Sequence, residues 1–131
     1  MTGVLYPPVI KFGQDSISAD VKKYVRKIIE NVWDEYVKNA PCDSVAAIVA
    51  VGAYVWLEKQ AYDDIVSAKA GGWEASDWKL NKASSKAMTV YLPNGREVSI
   101  DFTQLKYTRD MTKKEYEIFM AFRNIICKNN F

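Results

Sequence analysis

The run from Val45 to Leu57 constrains this chain more than any other segment. Its thirteen residues carry no charge and are apolar throughout apart from one tyrosine hydroxyl. With Asp43 or Ser44 as an N-cap, the run predicts a long helix that ends at about Lys69. A helix that is apolar on every face must be surrounded. We therefore expect it to be the central core helix or to be covered in part by another subunit.

Small residues in the same run would let a neighbouring backbone approach closely. Gly52 is one of them, and glycine in a helix interior costs about 1 kcal/mol relative to alanine, which favours tight packing there. The run is also too short to cross the roughly 30 Å of hydrocarbon in a bilayer. The predicted subunit contacts on this helix are Ala46, Ala50 and Ala53.

Capping signals predict a helix near each end of the chain. Ser18 is a suitable N-cap for a helix to about Val37, whose apolar residues recur at helical spacing. The sequence Thr112-Lys-Lys-Glu115 is a capping box and predicts a last helix to about Lys128.

The segment from Trp73 to Ala87 is harder to assign from its pattern. Ser76 would cap a short helix there, with Leu80 and Ala83 three residues apart on its inner face. We therefore expect a short third helix in this segment.

Alternating apolar and polar residues over 88–102 predict a β-hairpin, with Pro93-Asn94-Gly95 as its turn. An isolated hairpin is not stable, so its apolar face should pack on a helix. The predicted fold class is α+β and predominantly α. It is a helical, bundle-like domain of three to four helices with one β-hairpin and an extended N-terminal arm.

The predicted organisation is an arm over residues 1–17 followed by a single helical domain over residues 18–131. Pro7-Pro8 excludes a helix in the arm and favours extended geometry. The arm is too apolar for a floating tail, so it should fold back on its own domain or bind a neighbouring copy. Its apolar residues, all predicted subunit contacts, are Val4, Leu5, Tyr6, Val9, Ile10 and Phe12.

The amino-acid composition limits the kinds of functional site that the chain can form. The 131 residues suit one domain, and 18 basic against 16 acidic residues give no strong overall field. Histidine is absent, which removes the commonest general base and metal ligand. We therefore expect no enzyme, no metal and no cofactor.

Cys42 and Cys127 are the only cysteines, and their spacing is not that of a metal site. Two free thiols in a reducing compartment are the favoured interpretation, with a disulfide as the alternative. The N-terminal residues lack the pattern of a signal peptide. The expected location is intracellular, in the cytoplasm, or within an assembled virion, and no membrane contact is expected.

Two groups of cations are candidate contacts for the backbone of DNA or RNA. The first basic cluster lies on one face of the predicted first helix, and the second lies near two tryptophans on the predicted third helix. For the first cluster a solvated charged surface is the alternative, since Arg26 and Lys27 can reach Glu30. For the second, the alternative is that Trp73 and Trp78 simply anchor a short helix to the core. The first basic cluster is Lys22, Lys23, Arg26 and Lys27; the second basic cluster is Lys79, Lys82 and Lys86.

An ordered arm, a basic helix and an unusually apolar helix together favour a non-enzymatic structural or assembly subunit that forms homo-oligomers. In general plan the layout resembles the coat proteins of filamentous archaeal viruses, which pair arms and helices around DNA. That resemblance implies a virion component that contacts nucleic acid without sequence specificity.

The alternative is a small protein-binding module, such as a phage-encoded inhibitor, that acts on one foreign protein. Its contact surface would be the Trp73–Trp78 region or the outer hairpin residues Tyr91, Glu97 and Asp101.

Overall fold

The computed structural model describes residues 10–41, 54–84 and 86–103, and also 112–114, 116, 117, 120 and 127. Within the three long stretches, five strands, two α-helices and one 3-10 turn are found. In chain order these are β1 (Lys11–Phe12), α1 (Ala19–Asn39), β2 (Tyr54–Trp56), α2 (Lys59–Ala70), the 3-10 turn (Ala75–Asp77), β3 (Lys79–Ala83), β4 (Ala87–Tyr91) and β5 (Glu97–Thr103).

The strands form one mixed sheet in the order β1-β2-β5-β4-β3. β1 is parallel to β2, and the other three neighbouring pairs are antiparallel. The prediction of a bundle-like domain with three to four helices is therefore wrong. Two segments that were predicted to be helical, residues 54–56 and 79–83, form β2 and β3 and extend the hairpin on either side into a sheet.

Helix α1 begins where the sequence indicates. The hydroxyl of Ser18 accepts a hydrogen bond from the backbone N–H of Val21 at 3.4 Å, as an N-cap does. The helix buries one wide face against the sheet, where the rings of Tyr36 and Phe102 are 5.8 Å apart. Its buried residues are Val21, Tyr24, Val25, Ile28, Ile29, Val32, Trp33 and Tyr36.

The predicted hairpin is confirmed as β4 and β5. Its turn is closed by hydrogen bonds from the N–H of Leu92 to Arg96 O and from the N–H of Gly95 to Leu92 O. Gly95 has φ +90°, a conformation that a side chain would strain. The inner face carries Met88, Val90, Val98, Ile100 and Phe102, all buried in the common core.

The long helix predicted from Val45 to about Lys69 is wrong at residues 54–58 and confirmed from Lys59 to its C-terminal end, where Gly71 is the C-cap. Residues 54–56 form β2, which pairs with β5, and a separate helix begins at Lys59. In β2, Val55 is fully buried while Tyr54 and Trp56 are exposed, as alternation in a strand requires. Aromatic and β-branched residues suit a half-buried strand, and here tertiary pairing prevails over helix-like hydrophobicity. Residues 42–53, which include Ala46, Ala50 and Ala53, lie outside the described residues.

The short helix predicted between Trp73 and Ala87 is also wrong, because residues 79–83 form β3. The register shifts between Leu80 and Lys82, which marks a bulge at Asn81. One extra residue places Leu80 and Ala83 on the same face, opposite Val90 and Met88 of β4. The bulge therefore produces the three-residue spacing that resembles a helix.

Few residues of the predicted last helix are described; residues 113, 114, 116, 117, 120 and 127 are helical. Cys127 is disulfide-bonded, so the favoured expectation of a free thiol is wrong for this residue. Sequence separation carries no information about the distance between two sulfur atoms in the fold. Neither helix of the longer described stretches is apolar and long enough to cross a membrane.

Candidate interaction surfaces

The exposed face of α1 is divided by charge. Between its two end turns, cations come first and carboxylates follow, and all are exposed except Lys22, which is half-buried. The end turns carry single exposed charges of the opposite order, Asp20 in the first and Lys38 in the last. The cations are those of the first basic cluster, Lys22, Lys23, Arg26 and Lys27, and the carboxylates are Glu30, Asp34 and Glu35.

Phe12 contacts two of the cations at one side of this face. Its half-buried ring lies 6.0 Å from Lys22 Nζ and 5.2 Å from the guanidinium carbon of Arg26, so both cations sit over it. Arg26 Nε also donates a hydrogen bond to the carbonyl oxygen of Ile10 at 3.3 Å. β1 and α1 are thus joined through the first basic cluster.

The internal pairing considered as the alternative for this cluster does not form. Within the described residues, the ion pairs are Lys59–Asp63 at 3.3 Å and Arg96–Asp64 at 2.7 Å, both away from α1. Arg26 is directed to Phe12 and Ile10 rather than to Glu30. The charges of α1 are consequently left to solvent or to another molecule.

The second basic cluster does not lie on a helix. Lys79 and Lys82 are exposed on β3, which is an edge strand, and Lys86 is exposed just before β4. Lys79 Nζ donates to the carbonyl oxygen of Ser76 at 3.4 Å. Lysines on an edge strand discourage pairing with another chain. This role is enough to explain the presence of Lys79 and Lys82 without a nucleic-acid partner.

The described end of the N-terminal arm lies on its own domain. Ile10 is buried in the core, Phe12 is half-buried against it, and the N–H of Gly13 donates to Val55 O at 3.0 Å. The remaining predicted contacts of the arm, Val4, Leu5, Tyr6 and Val9, lie outside the described residues.

The outer face of the sheet presents Tyr91, which the hairpin pattern predicts, together with Tyr54 and Trp56, which it does not. Tyr54, Trp56 and Tyr91 are 37%, 47% and 38% exposed. Trp56 lies opposite Asp101 and Tyr91 lies opposite Glu97, so both neighbours on β5 are acidic. The alternation Tyr54-Val55-Trp56 is the signal that would have identified this face.

An acidic depression of about 340 Å³ lies between α2 and β5. Its carboxylates are partly engaged: Asp64 pairs with Arg96 and accepts from Gln60 Nε2 at 3.1 Å. Glu97 accepts from Asn81 Nδ2. In the part of the chain that the structure describes, no group of three or more potential ligands is placed to hold a metal ion. The carboxylates lining the depression are Glu58, Asp64, Glu97 and Asp101.

The Trp73–Trp78 region is partly internal, with its two buried residues at Ala75 and Trp78. Trp78 is fully buried and its indole Nε1 donates to the Tyr24 hydroxyl at 2.9 Å. Trp73 is half-buried against the core. Trp78 therefore anchors the segment before β3, while Glu74 and Ser76 of the same region remain exposed, as do Tyr91 and Glu97 on the outer hairpin face.

Comparison with known proteins found no matching family model, curated protein or solved structure. Any function must therefore be inferred from the chain's own residues.

Proposed function

We propose that this protein is a non-enzymatic structural subunit that assembles with copies of itself, as subunits of virus coats and filaments do. The observation that supports this proposal most directly is the division of charge along α1. A run of cations followed by a run of carboxylates on one exposed face is complementary to the same face of a second copy.

At four-residue spacing, like-charge pairs outnumber opposite-charge pairs along α1. Like charges four residues apart destabilise a helix by about 0.2–0.5 kcal/mol per pair. α1 contains three such pairs, Lys22 with Arg26, Lys23 with Lys27, and Glu30 with Asp34, and two pairs of opposite charge at the same spacing, Arg26 with Glu30 and Asp34 with Lys38. Opposite charges supplied by another subunit would offset the repulsion within the pairs Lys23–Lys27 and Glu30–Asp34.

The outer face of the sheet offers a second contact surface on different elements. Tyr54 and Trp56 project from β2 and Tyr91 from β4, all exposed. The register separates Tyr91 from Trp56 by two strands and four residues, with carboxylates of β5 between them, so a partner here would meet separate aromatic rings among acidic groups. Covering the rings would remove apolar area from water. Two separate contact surfaces allow assemblies larger than a dimer.

Sedimentation velocity over a range of protein concentrations tests the proposal. At an ionic strength of about 0.02 M, where screening is weak, we expect species heavier than the 14.9 kDa chain. Raising the ionic strength to about 0.5 M should shift the distribution toward the monomer. A monomer at every concentration and at low salt would contradict the proposal and would direct the search to a foreign protein on the outer sheet face.

Binding of a nucleic-acid backbone is the second candidate function. It is favoured by the stacking of Lys22 and Arg26 over Phe12, which holds two cations together with no ion pair to a described carboxylate. Phosphates could occupy that position and release condensed counterions.

Retention on DNA or RNA tests this second candidate. Lys22→Glu and Arg26→Glu together should abolish retention, and each single change should reduce the salt slope by about one unit. The control is Lys69→Glu, which changes an exposed lysine of α2. Equal retention of the control and the double variant would exclude the first basic cluster as the binding surface.

A further inference from the structure

We propose that two copies of this chain pack α1 against α1 in antiparallel orientation, about a two-fold axis that lies between the two helices, level with the peptide bond that joins Ile28 to Ile29. This inference rests on the proposed function, since it names the partner and the geometry of the charge-divided face. It goes beyond that function because it specifies which residue meets which.

Four charged residues form a stripe along the middle of the exposed face: Lys23, Lys27, Glu30 and Asp34. At 3.6 residues per turn, their directions fall within about 60° of one another. All four are exposed, and none makes an ion pair with another described residue. The stripe is therefore available to a neighbouring helix over most of the length of α1.

The signs of these charges are inverted about the midpoint of the stripe. In an antiparallel two-fold pair, each residue faces the one equally far on the other side of the axis. Lys23 then meets Asp34 of the second copy, and Lys27 meets Glu30. The symmetry repeats both contacts, so four pairs of opposite charges form. A parallel pair in the same register would instead place like charges together.

The surface beside the axis has room for a partner's side chains. A shallow depression of about 430 Å³ runs between α1 and the 3-10 turn. Lys27, Glu30 and Asn31 line it from α1, and Glu74 and Ser76 line it from the other side. Glu74 adds a carboxylate close to the position where the partner's Lys27 would arrive.

The flanking cations do not belong to this contact. Lys22 and Arg26 lie to one side of the stripe and are held over Phe12. This separation is useful experimentally, because the flank can be changed without altering the four residues of the stripe.

Exposed ion pairs are individually weak and are screened by salt. Two copies joined by four such ion pairs should form a reversible dimer that is populated at low ionic strength. Its strength depends on the pattern of charges rather than on the net charge, and this dependence supplies the test.

Three variants of the full chain test the register by sedimentation at low salt. The acidic variant carries Lys23→Glu and Lys27→Glu, and the basic variant carries Glu30→Lys and Asp34→Lys. The exchanged variant carries all four changes and keeps the net charge of the natural chain. Circular dichroism checks that each retains its fold, which is expected because all four positions are exposed.

We expect the acidic and basic variants, each alone, to dissociate with constants raised at least about tenfold. An equimolar mixture of the two should form a heterodimer, because every facing pair is again opposite in sign. The exchanged variant should restore the homodimer.

The outcomes separate this inference from the proposed function. If the natural chain associates but the acidic and basic variants associate equally well, the α1 contact is wrong and assembly uses another surface. A natural chain that stays monomeric overturns both proposals. Loss of DNA retention by the acidic variant, with no recovery of mass in the mixture, would show that the stripe contacts nucleic acid instead.

Discussion

The hydroxyl of Tyr24 accepts a hydrogen bond from the indole Nε1 of Trp78 at 2.9 Å and donates one to the carbonyl oxygen of Trp73, also at 2.9 Å. Fifty-four positions separate Tyr24 from Trp78 along the chain. Burial raises the pKa of the Tyr24 hydroxyl; the Trp78 hydrogen bond opposes that shift, and Asp77 and Glu74 add to it. This hydroxyl joins α1 to the segment that leads into β3.

Tyr24→Phe should lower the free energy of unfolding by about 1–3 kcal/mol, because the buried Trp78 N–H loses its partner. Urea unfolding followed by circular dichroism measures the change. Tyr62→Phe is the matched control, since Tyr62 also packs partly against the core and its hydroxyl has no hydrogen bond to another described residue. Equal losses in the two variants would mean that the Tyr24 hydroxyl contributes little.

Stability should fall in alkali because of Tyr36. Burial raises the pKa of its hydroxyl, which donates to Ser84 O at 3.2 Å. An unfolded tyrosine loses its proton near pH 10 while the folded one retains it, so this contribution is complete below about pH 10 and declines above it. The slope of unfolding free energy against pH between about 9 and 11 should be steeper for the natural chain than for Tyr36→Phe. Parallel curves would assign the alkaline loss to other groups.

Gly13 allows Trp56 to lie over the backbone beside β1. A Cβ atom at this position would lie 2.6 Å from Trp56 Cε3 and 2.9 Å from Cζ3. We expect Gly13→Ala to shift the ring and to destabilise the protein by about 1–3 kcal/mol, with a change in tryptophan fluorescence.

A double-mutant cycle with Trp56→Leu identifies the cause of that loss. Removing the ring should make Gly13→Ala much less costly, because the atoms it would contact are gone. If the cost is the same in both backgrounds, the glycine is required for another reason.

The lysines of β3 should protect the edge of the sheet. Lys79→Val with Lys82→Val presents an uncharged edge, and we expect aggregation to increase during refolding, measured by light scattering. Lys69→Val on α2 is the control, because it removes one exposed charge without changing a strand edge. A double variant as soluble as the control would indicate another role for these lysines.

Reduction of the disulfide that includes Cys127 should lower the free energy of unfolding by about 2–4 kcal/mol. Urea unfolding with and without a thiol reductant measures this, and Cys127→Ser should reproduce the reduced form. The reductant should have no further effect on Cys127→Ser. Identical unfolding curves for the oxidised and reduced natural chain would show that the bond does not contribute.

Local signals were sufficient for the elements that the structure confirms. The side chain of Ser18 and the spacing of the apolar residues after it predicted α1, and the alternation around Pro93-Asn94-Gly95 predicted the β4–β5 hairpin. Both depend on residues close together in sequence. The charge division of α1 is likewise readable from its residues once the buried face is known.

Hydrogen-bond pairing between separate segments determined the two strands that local signals did not predict, β2 and β3. Tyr54 to Trp56 form a strand because β5 supplies hydrogen-bonding partners that lie about fifty positions away, between Asp101 and Thr103. The bulge at Asn81 gave β3 a spacing that resembles a helix, and only its register against β4 distinguishes the two.

Signals within the chain are enough to establish where α1 begins, which of its faces is buried and how its exposed charges are ordered. These depend on capping and periodicity, which act within a few residues. The tertiary structure alone decided that a mixed sheet replaces a bundle, that Arg26 lies over Phe12 rather than beside Glu30, and that Tyr54, Trp56 and Tyr91 share an open face. Each of these depends on contacts between distant segments, whose free energy is set by the assembled fold and not by any one segment.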